Sequence, residues 1–299
     1  MKFEKSTGSR ILSYENVAVK KMNHIVEVKH VLYNTSGGLK GIKKLNQDSY
    51  MILDTGEVKD YVKTENRGQS VACLKDTFRK IRDLINNNFV GGQNEIHLTL
   101  TYAENMKDTR RLLDDFKKFW QKYKRKYGPD VDYLSVVEPQ CRGAWHCHVL
   151  IRHNDGKKVY IPSKQLEQLW GHGFIKVKAL NGVDNIGAYL SAYLGDVELT
   201  QETLPDYKKG QEIKTVQVDG VDKHFIKGGR LHLYPPGMNL YRHSSGIVYP
   251  EIHKMQYQGI KEIVGTATPN YSCTINIIDD EVGRLLNSVT YEQYNTKFK

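Results

Sequence analysis

The sequence predicts an α+β protein built on an antiparallel sheet. Three observations carry that expectation. Segments 95–102, 131–138 and 145–151 alternate apolar and polar residues, the period of a strand with one face buried. Segments 69–89 and 108–127 instead repeat apolar residues three and four apart, the period of a helix. Residues 139–144, which include Pro139 and Gly143, join the second and third strand segments through a connection short enough for a hairpin.

At 299 residues the chain is long enough for a catalytic domain with extensions. Composition shifts divide it into 1–68, 69–200 and 201–299. Lys and Arg number 44 against 34 Asp and Glu, a net charge of +10, with a pI near 9.2. Such a balance suits a polyanionic partner, nucleic acid first. The apolar and aromatic fractions are those of a globular chain rather than a disordered one. No two of Cys73, Cys141, Cys147 and Cys273 stand in a Cys-x-x-Cys spacing, which argues against a thiolate zinc site and fits a reducing cytoplasm. The first 17 residues have no apolar core of the signal-peptide type, and no apolar run reaches membrane-span length. A cytoplasmic protein with no membrane partner is expected.

In chain order, residues 1–68 read as short strands and turns, with a β-rich run at 23–33 and a basic stretch at 40–44. Val71, Leu74, Phe78, Ile81 and Ile85 line one side of the first helix, which Asn86–Asn88 and a Gly pair end. In 95–102, His97, Thr99 and Thr101 share the polar face; His97 reads as a sheet-face histidine or as a further metal ligand. The second helix buries Leu112, Phe116, Phe119, Trp120 and Tyr123, and its other side is basic. That side is either a solvated face or a phosphate contact. A short helix at 163–171 and a strand at 173–178, with Lys176 and Lys178 on one face, follow.

Residues 183–196 carry Ile186, Tyr189, Leu190, Tyr193 and Leu194 at helical spacing, with Asp184 as N-cap. Tyr189 and Tyr193 are four apart and so share a helix face. Residues 199–229 read as polar loop. Residues 230–247 mix aromatics, Arg and a Pro-Pro-Gly turn, a composition that suits stacking and phosphate contact or a structural extension. A single strand and a short tail are expected over 274–299.

The chemistry gathers in 138–151. Trp145, Cys147, Val149 and Ile151 alternate to one face of the strand. His146 and His148 take the other, about 7 Å apart. Two imidazoles side by side are a metal-ligand pair waiting for a third donor. With 11 His in 299 residues, chance supplies about 0.4 such pairs, so the pattern alone is weak. Glu138 lies eight residues before His146 across the turn. One strand register brings its carboxylate to the face of the histidines and a slip of one residue takes it to the opposite face.

The order of these segments resembles the HUH endonucleases, in particular the rolling-circle replication initiators of small phages and plasmids. Thr99–Tyr102 (TLTY) matches their first motif. Glu138 with Arg142, Gly143 and His146-Cys147-His148 matches the second, and Tyr189 with Tyr193 matches the third in its two-tyrosine form. The resemblance covers about 93–196. It implies a ferredoxin- or RRM-like palm, with helices packed on one face of the antiparallel sheet and the metal site on the other. It also implies Mg²⁺ or Mn²⁺ on Glu138, His146 and His148, and attack by Tyr189 or Tyr193 on single-stranded origin DNA. The products would be a 5′-phosphotyrosine and a free 3′-OH, in a bacterial host whose helicase and polymerase act as partners. A His₂Glu set could also take Zn²⁺. Such initiators usually carry a lysine three residues after a catalytic tyrosine. Ala192 and Asp196 stand there instead, and Lys176 or Lys178 is the substitute charge. Which tyrosine attacks first stays open. A relaxase or transposase of the same chemistry, and a non-catalytic nucleic-acid-binding module, are the rival readings.

Overall fold

The computed structural model describes residues 2–8, 11–33, 42–46, 48–53, 55–61, 71–140, 143–180, 185–187, 196–200, 212–218, 221–226 and 228–297. The chain is α+β, and it forms two compact units. One comprises Glu65–Pro250. The other joins Met1–Thr64 to Glu251–Lys299. The sequence suggests three consecutive segments, whereas the structure groups the chain's two ends together.

In the Glu65–Pro250 unit the order is α1 (Val71–Asn88), β1 (Glu95–Leu100), α2 (Thr109–Tyr127), β2 (Val131–Pro139), β3 (Trp145–His153), α3 (Ser163–Trp170), β4 (Ile175–Ala179) and β5 (Tyr241–His243). The sheet runs β4-β1-β3-β2-β5, and every pairing is antiparallel. β2 and β3 form the expected hairpin, closed by Gln140 N–H to Ala144 O at 2.7 Å, with Gly143 at φ +82°. That positive φ favours glycine, since a Cβ there would crowd the backbone.

Alternation then sorts the two faces. Leu98, Leu100, Cys147, Val149 and Ile151 point to one side and are buried with Leu112, Phe116, Phe119 and Tyr123 of α2 and Leu166 and Trp170 of α3. α2 begins on an Asp108 N-cap that accepts from the backbone N–H of Arg110 and Arg111, and it stops at Gly128. The opposite face is shared. α1 covers part of it: Ile81, Leu84, Ile85 and Phe89 pack with Leu134, Val136 and Leu150. α2 and α3 therefore take the face expected of the helices, and α1 adds a partial layer across the other.

Two stretches are more regular than their sequence suggests. Within 199–229, Ile213–Val218 and Val221–Ile226 pair as a hairpin, and Val197–Glu198 joins its edge. Residues 230–247 supply edge strand β5. Ser244 then turns back to cap Asp132, donating its hydroxyl at 2.6 Å, while Arg152 reaches the same carboxylate at 3.1 Å.

The second unit holds a six-stranded antiparallel sheet: Lys2–Thr7, Pro269–Ile278, Leu285–Asn295, Ile25–Val31, Asn16–Met22 and Ile252–Gln256. The C-terminal segment, expected as one strand, is thus a hairpin of two. Val17, Val19, Val26, Val28 and Tyr294 on one face pack with Ile260 and Val264. Among the described residues, no helix is long and apolar enough to cross a membrane.

Candidate metal centre

Strand register decides the question that the sequence leaves open. Glu138 at the end of β2 pairs directly with His146 of β3, and Val136 pairs with His148. Paired residues share a face, so the carboxylate stands with both imidazoles. Glu138 Oε2 lies 3.3 Å from His146 Nε2 and 3.2 Å from His148 Nε2, and the two Nε2 atoms are 3.0 Å apart. Among the described residues these three make the one group of His, Cys, Asp and Glu close enough to hold a metal. An ion about 2.1 Å from each donor, at angles between octahedral and tetrahedral, needs donor separations of about 3.0–3.4 Å. The observed triangle meets that requirement.

The surroundings prepare the donors. Glu138 and His146 are buried, with relative exposures of 4% and 7%. Burial alone would raise the Glu138 pKa. Hydrogen bonds from His146 and His148 and the nearby Arg230 charge outweigh it and hold the carboxyl well below the usual range. Burial pulls the His146 pKa down against the opposing pull of Glu138, so the ring is neutral and has a lone pair to give at pH 7.

Behind His148 stands β1. Thr99 pairs with His148, and its Oγ1 is 3.3 Å from His148 Nδ1; His97 Nε2 is 3.2 Å from the same atom. With Nε2 turned to the donor triangle, Nδ1 carries the proton and gives it to one of these acceptors. His97 can accept because burial, His148 and the lysines of β4 push its pKa down to about 3. His97 is therefore an orienting residue behind a ligand rather than a ligand itself. The strict alternation of 95–102 was the signal for that placement.

Arg230 was not legible as a site residue. One guanidinium nitrogen lies 2.7 Å from Glu138 Oε1. Its Nε donates to Asp196 O at 2.6 Å and another nitrogen donates to Pro139 O at 3.2 Å. Asp196 in turn accepts from Gly228 N–H at 2.7 Å. The residue standing where a lysine is usual thus holds the turn that carries an arginine to the site. Arg230 occupies Oε1 and leaves Oε2 facing the histidines.

Tyr189 and Tyr193 lie outside the described residues, as does Arg142. Their flanks are described. Ile186 is buried with α1, Leu134, Val136 and Leu150, on the sheet face that carries the ligands. Gly187 N–H donates to Asn86 of α1 at 2.9 Å, and a Cβ on Gly187 would come within 2.7 Å of Arg82 O. At the far flank stands Asp196, beside Arg230.

Lys176 and Lys178 lie on edge strand β4, paired with Thr99 and His97. One strand separates them from β3, so they sit about 10 Å from its ligands. That is too far for contact with the ligands and within reach of a neighbouring phosphate. The TLTY segment ties the sheet to its helices. Tyr102 donates to Asp115 of α2 at 3.0 Å, and Thr101 O accepts from the Trp170 indole at 2.8 Å. The basic side of α2 projects from the face opposite the metal centre, because its apolar side packs on that opposite face.

A family model for replication-associated proteins of the ORF2 type matches residues 95–198. The match spans β1 to β4 and the tyrosine segment, and it supports a replication-initiator role. No curated protein matches the chain.

Proposed function

We propose that the chain initiates rolling-circle DNA replication as an HUH-type nickase. It would cut and rejoin single-stranded origin DNA through a covalent 5′-phosphotyrosine. The observation that carries this reading is the convergence of Glu138, His146 and His148 on one point of the sheet face to which both flanks of the Tyr189–Tyr193 segment are tied. A non-catalytic binder has no use for three convergent donors. A relaxase or transposase would share the chemistry, and the replication-associated match favours the initiator.

A divalent ion on this triad supplies Lewis acidity at the scissile phosphate. Two imidazoles with one carboxylate oxygen favour Mn²⁺ over the all-oxygen preference of Mg²⁺. His97 and Thr99 fix the His148 ring, and Arg230 fixes the carboxylate. Tyr189 or Tyr193 then attacks phosphorus: the phenolic O–P bond forms, the P–O3′ bond breaks, and the 3′-oxygen leaves as a hydroxyl after taking a proton. The ester keeps the bond energy for rejoining. The second tyrosine can attack newly made DNA while the first still holds the old end. A base-paired strand does not fit readily at such a cleft, so the substrate is single-stranded or extruded DNA.

The test is a 3′-labelled single-stranded oligonucleotide from the DNA flanking the gene, incubated with Mn²⁺ or with EDTA and run on a denaturing gel. An adduct of the labelled fragment with the protein, present only with Mn²⁺, is expected. Absence of any adduct across candidate origins and with both Mn²⁺ and Mg²⁺ would overturn the reading.

Arg230→Ala separates the carboxylate from its counter-charge. Breaking one side of a buried ion pair costs about 3 kcal/mol, which lowers the melting temperature by roughly 6–12 °C in a unit of this size. Mn²⁺ should restore more stability to this variant than to the wild type, since the ion replaces the missing positive charge. Equal melting in EDTA would contradict the role given to Arg230.

A further inference from the structure

The unit built from Met1–Thr64 and Glu251–Lys299 carries a surface suited to single-stranded DNA in its own right. Register fixes which residues share the sheet face turned away from Val17, Val28 and Tyr294. Lys254 pairs with Ala18, Ala18 with Lys29, and Lys29 with Tyr291, so these lie in one row across four strands. In the next row Lys20 pairs with Glu27, Glu27 with Gln293, and Gln293 with Tyr271. Lys5 reaches the same face through Ile275 and Val289.

Charge on this face is one-sided. Glu27 is its acidic residue among the strands paired here, and it lies 3.8 Å from Lys20. Lys5, Lys29 and Lys254 remain in excess, all exposed. Glu4 and Glu292 alternate to the opposite face. The aromatic rings are exposed too: Tyr271 is 50% accessible and Tyr291 36%. Lys29 Nζ stands 5.7 Å from the Tyr291 ring centroid. Tyr271 and Tyr291 are diagonal neighbours, about 7 Å apart, close enough to meet adjacent bases of one strand.

We propose that this sheet face binds single-stranded DNA without sequence preference, with bases stacked on Tyr271 and Tyr291 and phosphates held by Lys5, Lys29 and Lys254. Exposed rings combined with excess lysine are what a single strand needs, because every base offers a π-face. A duplex hides those faces and would use the lysines alone.

The experiment is fluorescence anisotropy of labelled dT20 with the full chain in EDTA, across a salt series. Lys29→Gln with Lys254→Gln should weaken binding at least tenfold and flatten the log–log salt slope by about 1.4, the value for two lost single-strand phosphate contacts. Tyr291→Ala should weaken dT20 binding and leave a 20-bp duplex little changed, while Tyr291→Phe keeps the wild-type affinity. These residues lie outside the metal centre, so nicking of a short oligonucleotide should be unaffected. Unchanged affinity and slope in the lysine variant would overturn the proposal. Equal losses on duplex and single strand in Tyr291→Ala would overturn the stacking. A wild-type chain that never nicks but binds dT20 through Lys29 and Lys254 would overturn the replication reading and leave this one standing.

Discussion

His148→Ala is expected to abolish metal-dependent nicking, with a loss of at least about 10³-fold. Its Nε2 is one corner of a donor triangle with sides of 3.0, 3.2 and 3.3 Å, and alanine offers nothing in its place. Oligonucleotide affinity in EDTA should stay within about threefold of wild type, because phosphate contacts by lysine and arginine carry binding. His97→Ala makes the informative comparison. It removes a partner of His148 Nδ1 but no donor to the metal, and changes of that kind typically cost 10–100-fold. Gel quantification of single-turnover nicking measures both. Full metal-dependent activity in His148→Ala would remove the triad from the mechanism, and a His97→Ala loss as large as that of His148→Ala would make His97 a ligand.

The second large effect belongs to the tyrosines. Tyr189→Phe with Tyr193→Phe should eliminate the covalent adduct, since phenylalanine keeps the ring and lacks the attacking oxygen. Each single variant should keep partial adduct formation, and the one with the deeper loss identifies the first nucleophile. Binding of the same oligonucleotide, followed by anisotropy, should be nearly unchanged in the double variant. A persistent adduct in the double variant would place the nucleophile elsewhere.

Much of the sheet was legible because alternation and helical periodicity are local. Residues 95–100, 131–139 and 145–153 show in the sequence as strands that alternate, and the burial of 109–127 follows its apolar stripe. The position of Glu138 was half legible. The sequence supplied the residue and the turn, but register depends on how the hairpin closes, and a slip of one residue reverses the face. Arg230 was invisible for a different reason. It lies 92 positions from Glu138, in an aromatic-rich stretch that reads as a surface, and only the Asp196–Gly228 contact brings it to the site. Long-range pairing likewise hid the second unit: Ile25–Val31 bonds to Leu285–Asn295, and no local pattern announces a partner more than 250 residues away. The C-terminal hairpin looked like one strand because a tight turn at Gly283, with φ +65°, separates two runs of similar composition.

The most direct measurement is a Mn²⁺ titration of the full chain, read by the loss of the free-ion electron paramagnetic resonance signal, beside Glu138→Gln, His146→Ala and His148→Ala. One ion bound per wild-type chain, with affinity falling sharply in all three variants, is the expected result. Equal Mn²⁺ binding in wild type and variants would contradict a metal centre built from Glu138, His146 and His148.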